Sequence, residues 1–156
     1  MVNFKKVIVF ELAEEKYGVE VELVRTIERI QSITRVPNVP GYIKGVINLR
    51  GIVIPIIDLR ARFGLYQEDY TEETRILIVS PGDYEVGLIV DSANDVIDID
   101  TDFIDNPPEI VGGINSKYLN GIARVGEQRL LVLLNLEQVL NGHEIRQLDT
   151  IENKDK

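Results

Sequence analysis

The chain has 156 residues, of which 44% are hydrophobic and 28% are charged, so it is the length of one domain and has enough apolar side chains for a buried core. Its net charge of −9 argues against binding to nucleic acid or to an anionic membrane surface, because both need clusters of Lys and Arg. The sequence contains no Cys, which excludes disulfides and thiolate metal sites.

The first elements are short runs rich in Val and Ile, which suit a pleated strand. Residues 7–12 predict one strand, and residues 17–22 predict another because Tyr17, Val19 and Val21 alternate with other side chains. The N-terminal run is too short for a signal peptide, and no stretch is as long as the roughly 18 apolar residues of a membrane span. We therefore expect a cytoplasmic protein. Further apolar runs cover residues 23–30 and 33–36.

Residues 45–57 predict a β-hairpin. The candidate strands 45–49 and 52–57 are separated only by Arg50 and Gly51, which is the spacing of a tight turn. Gly51 suits the positive φ of such a turn, and Arg50 would project outward with its guanidinium available to a partner protein. Composition by itself also fits an ordinary turn with a solvated Arg.

Short helices are predicted to follow two of the strands. Asp58 is a candidate N-cap for a helix over residues 59–63, and Asn135 for one over residues 136–140. Between them lie an acidic connector, strands at 75–79, 84–90 and 95–99, and a hairpin formed by 119–125 and 129–134. We predict one domain over residues 6–141 and a charged, helical tail over residues 142–156.

The two halves of the chain resemble each other. A run from Val7 and the pair Tyr17-x-Val19 match a run from Ile76 and the pair Tyr84-x-Val86, at offsets of 69 and 67 residues. Several short strands in each half predict two small β-barrels rather than one open sheet. Any two strand–turn–strand units look alike, so a true repeat and a chance likeness both remain open at this point.

Catalytic and metal-binding motifs are weak. The single His, His143, has no nucleophile motif near it, and there is no phosphate-binding glycine loop. Carboxylates at Asp98, Asp100, Asp102 and Glu109 have the spacing of a calcium loop. Phe103 stands where that loop needs Gly, however, so a solvated acidic edge is favoured. A small β-rich enzyme with an unmarked carboxylate pair and a calcium-binding β domain are the alternatives to a binding module; no cofactor is predicted.

Several motifs resemble those of the CheW family, the adaptor domain of bacterial chemotaxis. The likeness covers about residues 6–141 and includes Pro, Gly, Asn and Arg positions that have no shared compositional cause. The motifs are Tyr17-Gly18-Val19, Thr34-Arg35-Val36-Pro37, Pro40-Gly41-Tyr42-Ile43-Lys44-Gly45, Asn48-Leu49-Arg50-Gly51, Pro55-Ile56-Ile57-Asp58-Leu59-Arg60, Gly87-Leu88-Ile89-Val90-Asp91, Asp95-Val96 and Tyr118-Leu119-x-Gly121.

The resemblance implies an all-β fold, mainly β with short helices, in which two five-stranded, SH3-like barrels are intertwined. It implies a scaffold without enzymatic activity. The expected partners are the regulatory domain of the histidine kinase CheA and the cytoplasmic tips of methyl-accepting chemoreceptors. The protein would then be cytoplasmic and would be recruited to receptor arrays at the membrane.

The resemblance also implies the binding residues. Two of them depart from the family pattern: Thr26 replaces an expected acid and Arg75 an expected apolar residue. For Val24, Ile27, Val53 and Val96, simple core packing is as good an explanation as contact with a partner. The receptor-binding set is Val24, Thr26, Gly45, Arg50, Gly51, Arg75 and Val96, and the kinase-binding set is Ile27, Lys44 and Val53.

Overall fold

The computed structural model describes residues 3–108, 110–111, 114–126 and 129–140. Glu109, His143 and the predicted tail therefore lie outside the described residues. The described strands are β1 (Phe4–Leu12), β2 (Glu15–Glu20), β3 (Val24–Arg29), β4 (Ile43–Leu49), β5 (Ile52–Asp58), β6 (Arg75–Val79), β7 (Val86–Val90), β8 (Ser92–Asp100), β9 (Ile104–Asp105), β10 (Ile110–Val111), β11 (Ile114–Asn115), β12 (Leu119–Arg124) and β13 (Leu130–Leu134). The α-helices are α1 (Leu59–Arg62) and α2 (Leu136–Val139), and 3-10 turns cover Val21–Leu23, Thr101–Phe103 and Ser116–Tyr118.

Most strands belong to two mixed sheets, as the fold prediction requires. Sheet 1 has the order β8-β1-β2-β13-β12-β9, and sheet 2 has the order β3-β6-β7-β5-β4. Sheet 1 gains a sixth member because the two-residue strand β9 pairs with β12, and β10 and β11 form a separate two-stranded ribbon. The predicted mainly-β fold of two small, intertwined units is confirmed.

The two halves of the chain exchange strands. The hairpin β1–β2 from the first half pairs with β8 and β13 from the second half, whereas β6–β7 from the second half pairs with β3 and β5 from the first. In each sheet the pair across the hairpin is antiparallel and the next neighbour is parallel. The same pairing scheme therefore occurs twice, which favours a true repeat over a chance likeness.

The strand register corrects one of the two matches predicted between the halves of the chain. Gly18 lies opposite Val9, and Gly87 lies opposite Ile78, so one offset of 69 residues relates both strand pairs. Tyr17 is then equivalent to Val86, and the match of Tyr17 with Tyr84 was wrong. A Cβ at Gly87 would lie 2.5 Å from Ile56 Cδ1. Close packing across the strands thus requires glycine at the equivalent positions 18 and 87. The neighbouring positions, Tyr17 and Val86, need only an apolar side chain, so their residue types can differ.

Buried side chains form three clusters. The largest lies in the seam between the sheets and includes Phe10, Leu77 and Leu88. The inside of sheet 2 holds six buried isoleucines, among them Ile76 and Ile78, and the inside of sheet 1 holds a smaller cluster. Each sheet therefore buries both of its faces, which explains why strands such as β7 are apolar at almost every position.

The predicted hairpins and helix caps are confirmed. Strands β4 and β5 pair from Leu49–Ile52 onward, and the Asp58 side chain accepts hydrogen bonds from the first backbone N–H groups of α1. Asn135 caps α2 in the same way through the Gln138 N–H. Residues 21–23 form a 3-10 turn rather than the end of a strand, and β8 begins three residues earlier than predicted.

The two halves meet around one arginine. The Arg62 guanidinium lies 4.8 Å from the centroid of the Tyr42 ring and 5.2 Å from that of the Tyr118 ring. These two tyrosines are equivalent, because each backbone carbonyl accepts a hydrogen bond from the residue that caps the following helix. Arg62 Nε also donates to the Val139 carbonyl in α2 at 2.9 Å. Cation–π contacts therefore join the halves at the point where α1 approaches α2.

Candidate functional site

The turn between β4 and β5 has an unusual backbone. Arg50 has a φ of 53° and Gly51 a φ of 87°, so both central residues are left-handed, as a two-residue hairpin with the native strand twist requires. The Gly51 N–H donates to Asn48 Oδ1 at 2.9 Å. A left-handed Arg costs on the order of 1 kcal/mol relative to Gly or Asn. The backbone strain of this turn therefore falls on the residue that presents the guanidinium.

The Arg50 side chain is exposed and points toward β3. Its exposed fraction is 70%, and its Nη2 lies 4.0 Å from Glu28 Oε2, whose side chain is only 18% exposed. An exposed pair at this distance adds little to stability. Its effect is to bias the guanidinium toward one side of the hairpin.

Gly45 has a structural role beside this turn. It has a φ of 142° and follows a register shift in the β4–β5 pairing. A Cβ at Gly45 would overlap the Thr34 carbonyl oxygen, which accepts a hydrogen bond from the Val46 N–H. Gly45 thus allows the segment after β3 to close on β4, and it does not itself present a side chain to a partner.

Strand β3 presents its predicted residues on two different faces. Ile27 lies opposite Leu77, and Val24 lies opposite Val79, so both are on the face that packs into the seam. Val24 is half-buried against the seam cluster, whereas Ile27 is 40% exposed at the free edge of the strand. The geometry therefore groups Ile27, which was predicted to bind the kinase, with Val24, which was predicted to bind the receptor.

Thr26 lies on the other face of β3. It is opposite Ile78, which belongs to the cluster inside sheet 2. Its hydroxyl is buried and has no hydrogen-bond partner among the described residues. A polar atom in this position is covered by the chain itself, so direct contact between the Thr26 hydroxyl and a partner would need a local rearrangement.

Strand β8 repeats the arrangement of β3 in sheet 1. Val96 lies opposite Ile8 of the seam cluster and is 52% exposed. The 69-residue offset makes Val96 equivalent to Ile27, and both strands have a register shift at the same place and one free edge. The apolar residues Val24, Ile27 and Val96, which are half-buried or exposed, thus lie at the edges of the seam. We call these three residues the seam edge.

Arg75 lies at the start of β6, beside the seam edge. Its Nη1 donates to the carbonyl oxygens of Glu72 at 2.7 Å and Thr74 at 2.9 Å. Its cross-strand partner is Arg29 of β3. The Arg75 side chain is therefore held in place by backbone groups.

The other two residues predicted to bind the kinase lie on β4 and β5. Lys44 is half-buried and lines a surface groove of about 390 Å³ together with Arg35, Pro37 and Tyr70. Val53 is half-buried opposite Asn48, three residues after Arg50. They are not part of the seam edge.

A separate network of polar side chains lies where β7 ends and β8 begins. Asp91 accepts hydrogen bonds from Arg60 Nε at 2.8 Å, from Arg60 Nη2 at 2.6 Å and from the Ala13 N–H at 2.9 Å. The hydrogen bond with Asp91 raises the pKa of Arg60. Nearby, Asp58 accepts from the Tyr70 hydroxyl at 2.9 Å, and burial followed by the charge of Asp58 raises the pKa of Tyr70. These carboxylates hold the fold together.

The acidic residues of the predicted calcium loop have other partners. Asp98 lies on β8, 4.0 Å from Lys6 Nζ, and Asp100 caps a 3-10 turn by accepting from the Asp102 N–H. Within residues 3–108, 110–111, 114–126 and 129–140, no three His, Cys, Asp or Glu side chains are grouped so that they could hold a metal ion.

Comparison with known proteins identifies the family. The family model of the CheW-like domain matches residues 6–144. The chain is 44% identical over 137 residues to the chemotaxis protein CheW of Bacillus subtilis, covering 88% of this chain and 87% of that protein. The corresponding values for CheW of Klebsiella aerogenes are 35% over 144 residues, with 92% and 86% covered. The crystal structure of the scaffolding protein TtCheW from Thermoanaerobacter tengcongensis superposes with a TM-score of 0.82 at 37% identity, covering 90% of this chain and 94% of that chain.

The chain belongs to the CheW family. It is therefore a scaffold protein of chemotaxis and not an enzyme, as the resemblance implied. Among the described residues, none of the helices has the length and apolar composition needed to cross a bilayer. The tight turn at Arg50 and the seam edge expose side chains that a partner of such a scaffold could contact.

Sequence reasoning missed some residues of this region. Glu28 and Arg29 were overlooked because nothing in a single strand shows which residues face them across a sheet. The pairing of Arg60 with Asp91 was also missed, since the two are far apart in the chain. Adjacent residues of a strand face opposite sides of its sheet, so strand periodicity alone could have indicated that Thr26 and Ile27 face opposite ways.

Proposed function

We propose that this CheW-family chain couples chemoreceptors to the histidine kinase CheA. The observation that carries the proposal is the strained turn of the family motif, where a 70% exposed Arg50 replaces the Gly or Asn that the backbone favours. Strain retained at an exposed position favours a role in recognition. Arg is also a residue type that often dominates the binding energy of protein interfaces.

The seam edge is the proposed receptor side. Val24, Ile27 and Val96 are apolar, come from both sheets, and are exposed or half-buried at strands with a free edge. A receptor hairpin packed there would bury these side chains, and Arg50, which lies near Glu28 of the same strand β3, would make a further contact. Lys44 and Val53 are proposed to contact the kinase regulatory domain, because they lie apart from the seam edge. The protein would then act in the cytoplasm at receptor arrays.

Replacing Arg50 by Asn tests the proposal. Asn-Gly is the preferred sequence for this turn, so Arg50→Asn should leave the unfolding temperature unchanged or raise it by a few degrees. Titration calorimetry with a chemoreceptor cytoplasmic fragment from the same organism should show affinity reduced about tenfold or more. The kinase regulatory domain should bind the variant like the wild type.

Two further variants serve as controls. Ala13→Asn changes the other left-handed turn, between β1 and β2, where Ala13 has a φ of 52°. This change should leave both affinities as they are. Lys44→Glu should weaken kinase binding and preserve receptor binding. If the wild-type protein binds neither partner, the proposal is wrong. If Arg50→Asn binds the receptor normally, Arg50 is not a recognition residue.

A further inference from the structure

Strands β3 and β6 place two cations side by side. Arg29 is the direct cross-strand partner of Arg75, with the two side chains on the same face of sheet 2. The Cβ atoms of directly opposed residues are roughly 5 Å apart, and residues of like charge directly opposite each other destabilise a sheet. The like-charged pair therefore destabilises the sheet slightly unless a carboxylate compensates the charge.

The equivalent position in sheet 1 has the opposite arrangement. The 69-residue offset relates Arg75 to Lys6 and Arg29 to Asp98, and this second pair also faces across two strands. Lys6 Nζ lies 4.0 Å from Asp98 Oδ1, so the two charges compensate each other. The like-charged pair is thus a property of sheet 2 and not a requirement of the repeated fold.

Within the described residues, no carboxylate serves as a counter-ion for the two arginines. Neither Arg29 nor Arg75 forms an ion pair with a carboxylate in the part of the chain that the structure describes, whereas their neighbour Arg25 lies 3.9 Å from Glu85 Oε1. The net charge of −9 makes two uncompensated cations a local exception. Arg75 uses Nη1 for backbone carbonyls, which leaves its Nε and Nη2 donors for a carboxylate.

The pair also adjoins the seam edge. Arg29 and Ile27 alternate onto the same face of β3, and Arg75 and Leu77 do so on β6. Any segment that covers Val24 and Ile27 would therefore pass the two guanidinium groups. Cations at the border of an apolar contact favour an acidic partner and repel a basic one.

We propose that Arg29 and Arg75 together bind an Asp or Glu side chain of the protein segment that covers the seam edge. This inference rests on the proposed function and specifies the chemistry of the receptor, which should carry a carboxylate next to the apolar residues that pack on Val24 and Ile27. The partner carboxylate would compensate the repulsion that the isolated sheet retains. Recognition would thus be selective for receptors with an acid at that position.

The experiment compares the double variant Arg29→Gln/Arg75→Gln with the wild type in titration calorimetry with the same receptor fragment. We expect the double variant to bind about tenfold more weakly at low salt and to depend less on salt, because a charge-assisted contact is lost. Arg25→Gln is the matched control, since it removes a cation from the same strand that already has a partner. It should change the affinity by less than roughly twofold. Unfolding temperatures of the double variant should be equal to or above that of the wild type.

A second measurement identifies the partner residue. Each exposed Asp or Glu at the receptor tip is replaced by its amide, and one replacement should weaken binding to the wild type without weakening binding to the double variant further. Equal affinity and equal salt dependence of the wild type and the double variant would overturn the inference while leaving the coupling function intact. A wild-type protein that fails to bind the receptor fragment would instead overturn the proposed function, and this inference with it.

Discussion

Sheets 1 and 2 use one pairing scheme with different surface residues. Both have a glycine with positive φ after a register shift, at Gly121 in sheet 1 and Gly45 in sheet 2. Both have a capped helix after the parallel strand, and both have a shifted register in the edge strand. They differ at the charge pairs, where Lys6 faces Asp98 in one sheet and two arginines face each other in the other.

This difference separates the residues needed for folding from those available for recognition. Positions that are equivalent and alike, such as Gly18 and Gly87, lie where chains approach closely. Some positions that are equivalent and unlike, such as Asp98 and Arg29, lie on exposed edges, where a partner can determine which residue is best. Comparing equivalent positions of the two sheets therefore helps to distinguish residues that the fold requires from residues that a partner could select.

The largest effect is expected from substitutions of the glycines with positive φ that occur in both sheets, Gly45 and Gly121. A Cβ at Gly45 would overlap a backbone carbonyl oxygen that is already hydrogen-bonded, and the backbone there has little freedom to move. Gly45→Ala should therefore lower the free energy of unfolding by about 3 kcal/mol or more. Gly121→Ala should cost less, about 2 kcal/mol, because the nearest atom to its Cβ is a side-chain methyl of Ile104, at 2.6 Å.

Urea denaturation measures both values, and Gly64→Ala is the control. Gly64 has a φ of 72° but no heavy atom within 4 Å of an added Cβ, so it reports the cost of the backbone conformation alone, about 1 kcal/mol. If Gly45→Ala costs no more than Gly64→Ala, the close approach of residue 34 is not what requires glycine.

Much of the fold follows from the sequence because local signals agree with each other. The Arg50-Gly51 spacing, the caps at Asp58 and Asn135, and the runs of Val and Ile each predict an element that the structure has. The exchange of strands between halves has no local signal, since it depends on which hairpin each later strand joins. The motif likeness to the CheW family provided that information.

The candidate site was less predictable for the same reason. Arg50 was identified because a tight turn is local, but its proximity to Glu28 requires the pairing of distant strands. The faces of β3 depend on one shifted residue at Arg25, which reverses the alternation that a regular strand would have. Such a bulge is set by packing on β6 and not by the residues of β3 alone.

A smaller effect is expected at alkaline pH, at a buried position where the two sheets differ. Burial, followed by the charge of Glu15, raises the pKa of Tyr17 to about 12, whereas its equivalent in sheet 2 is Val86, which does not titrate. In the unfolded chain Tyr ionises at a pH of about 10, whereas in the folded protein Tyr17 ionises only at its higher pKa. Between these two pH values the unfolded chain binds fewer protons than the folded protein. Stability contributed by Tyr17 is therefore present below this window and is lost as the pH rises through it, by about 2 kcal/mol.

Urea midpoints at several pH values above neutrality test this expectation. Tyr17→Phe should have a shallower decrease than the wild type, and the difference between the two proteins cancels contributions from Lys and Arg. Tyr70, whose pKa is also raised, should account for part of the decrease that remains. Parallel curves for the wild type and Tyr17→Phe would show that Tyr17 ionises equally well in the fold.

The smallest effect comes from exchanging the charge pairs themselves. Arg29→Glu would give sheet 2 an opposed pair with Arg75 like that of sheet 1, and should raise the free energy of unfolding by about 0.5 kcal/mol. Asp98→Arg would give sheet 1 two opposed cations at Lys6, and should lower it by a similar amount. Both shifts should shrink at high salt, because exposed charges are screened. Equal stabilities for Arg29→Glu and the wild type would mean that the two arginines already avoid each other, and that no partner carboxylate is needed to relieve their repulsion.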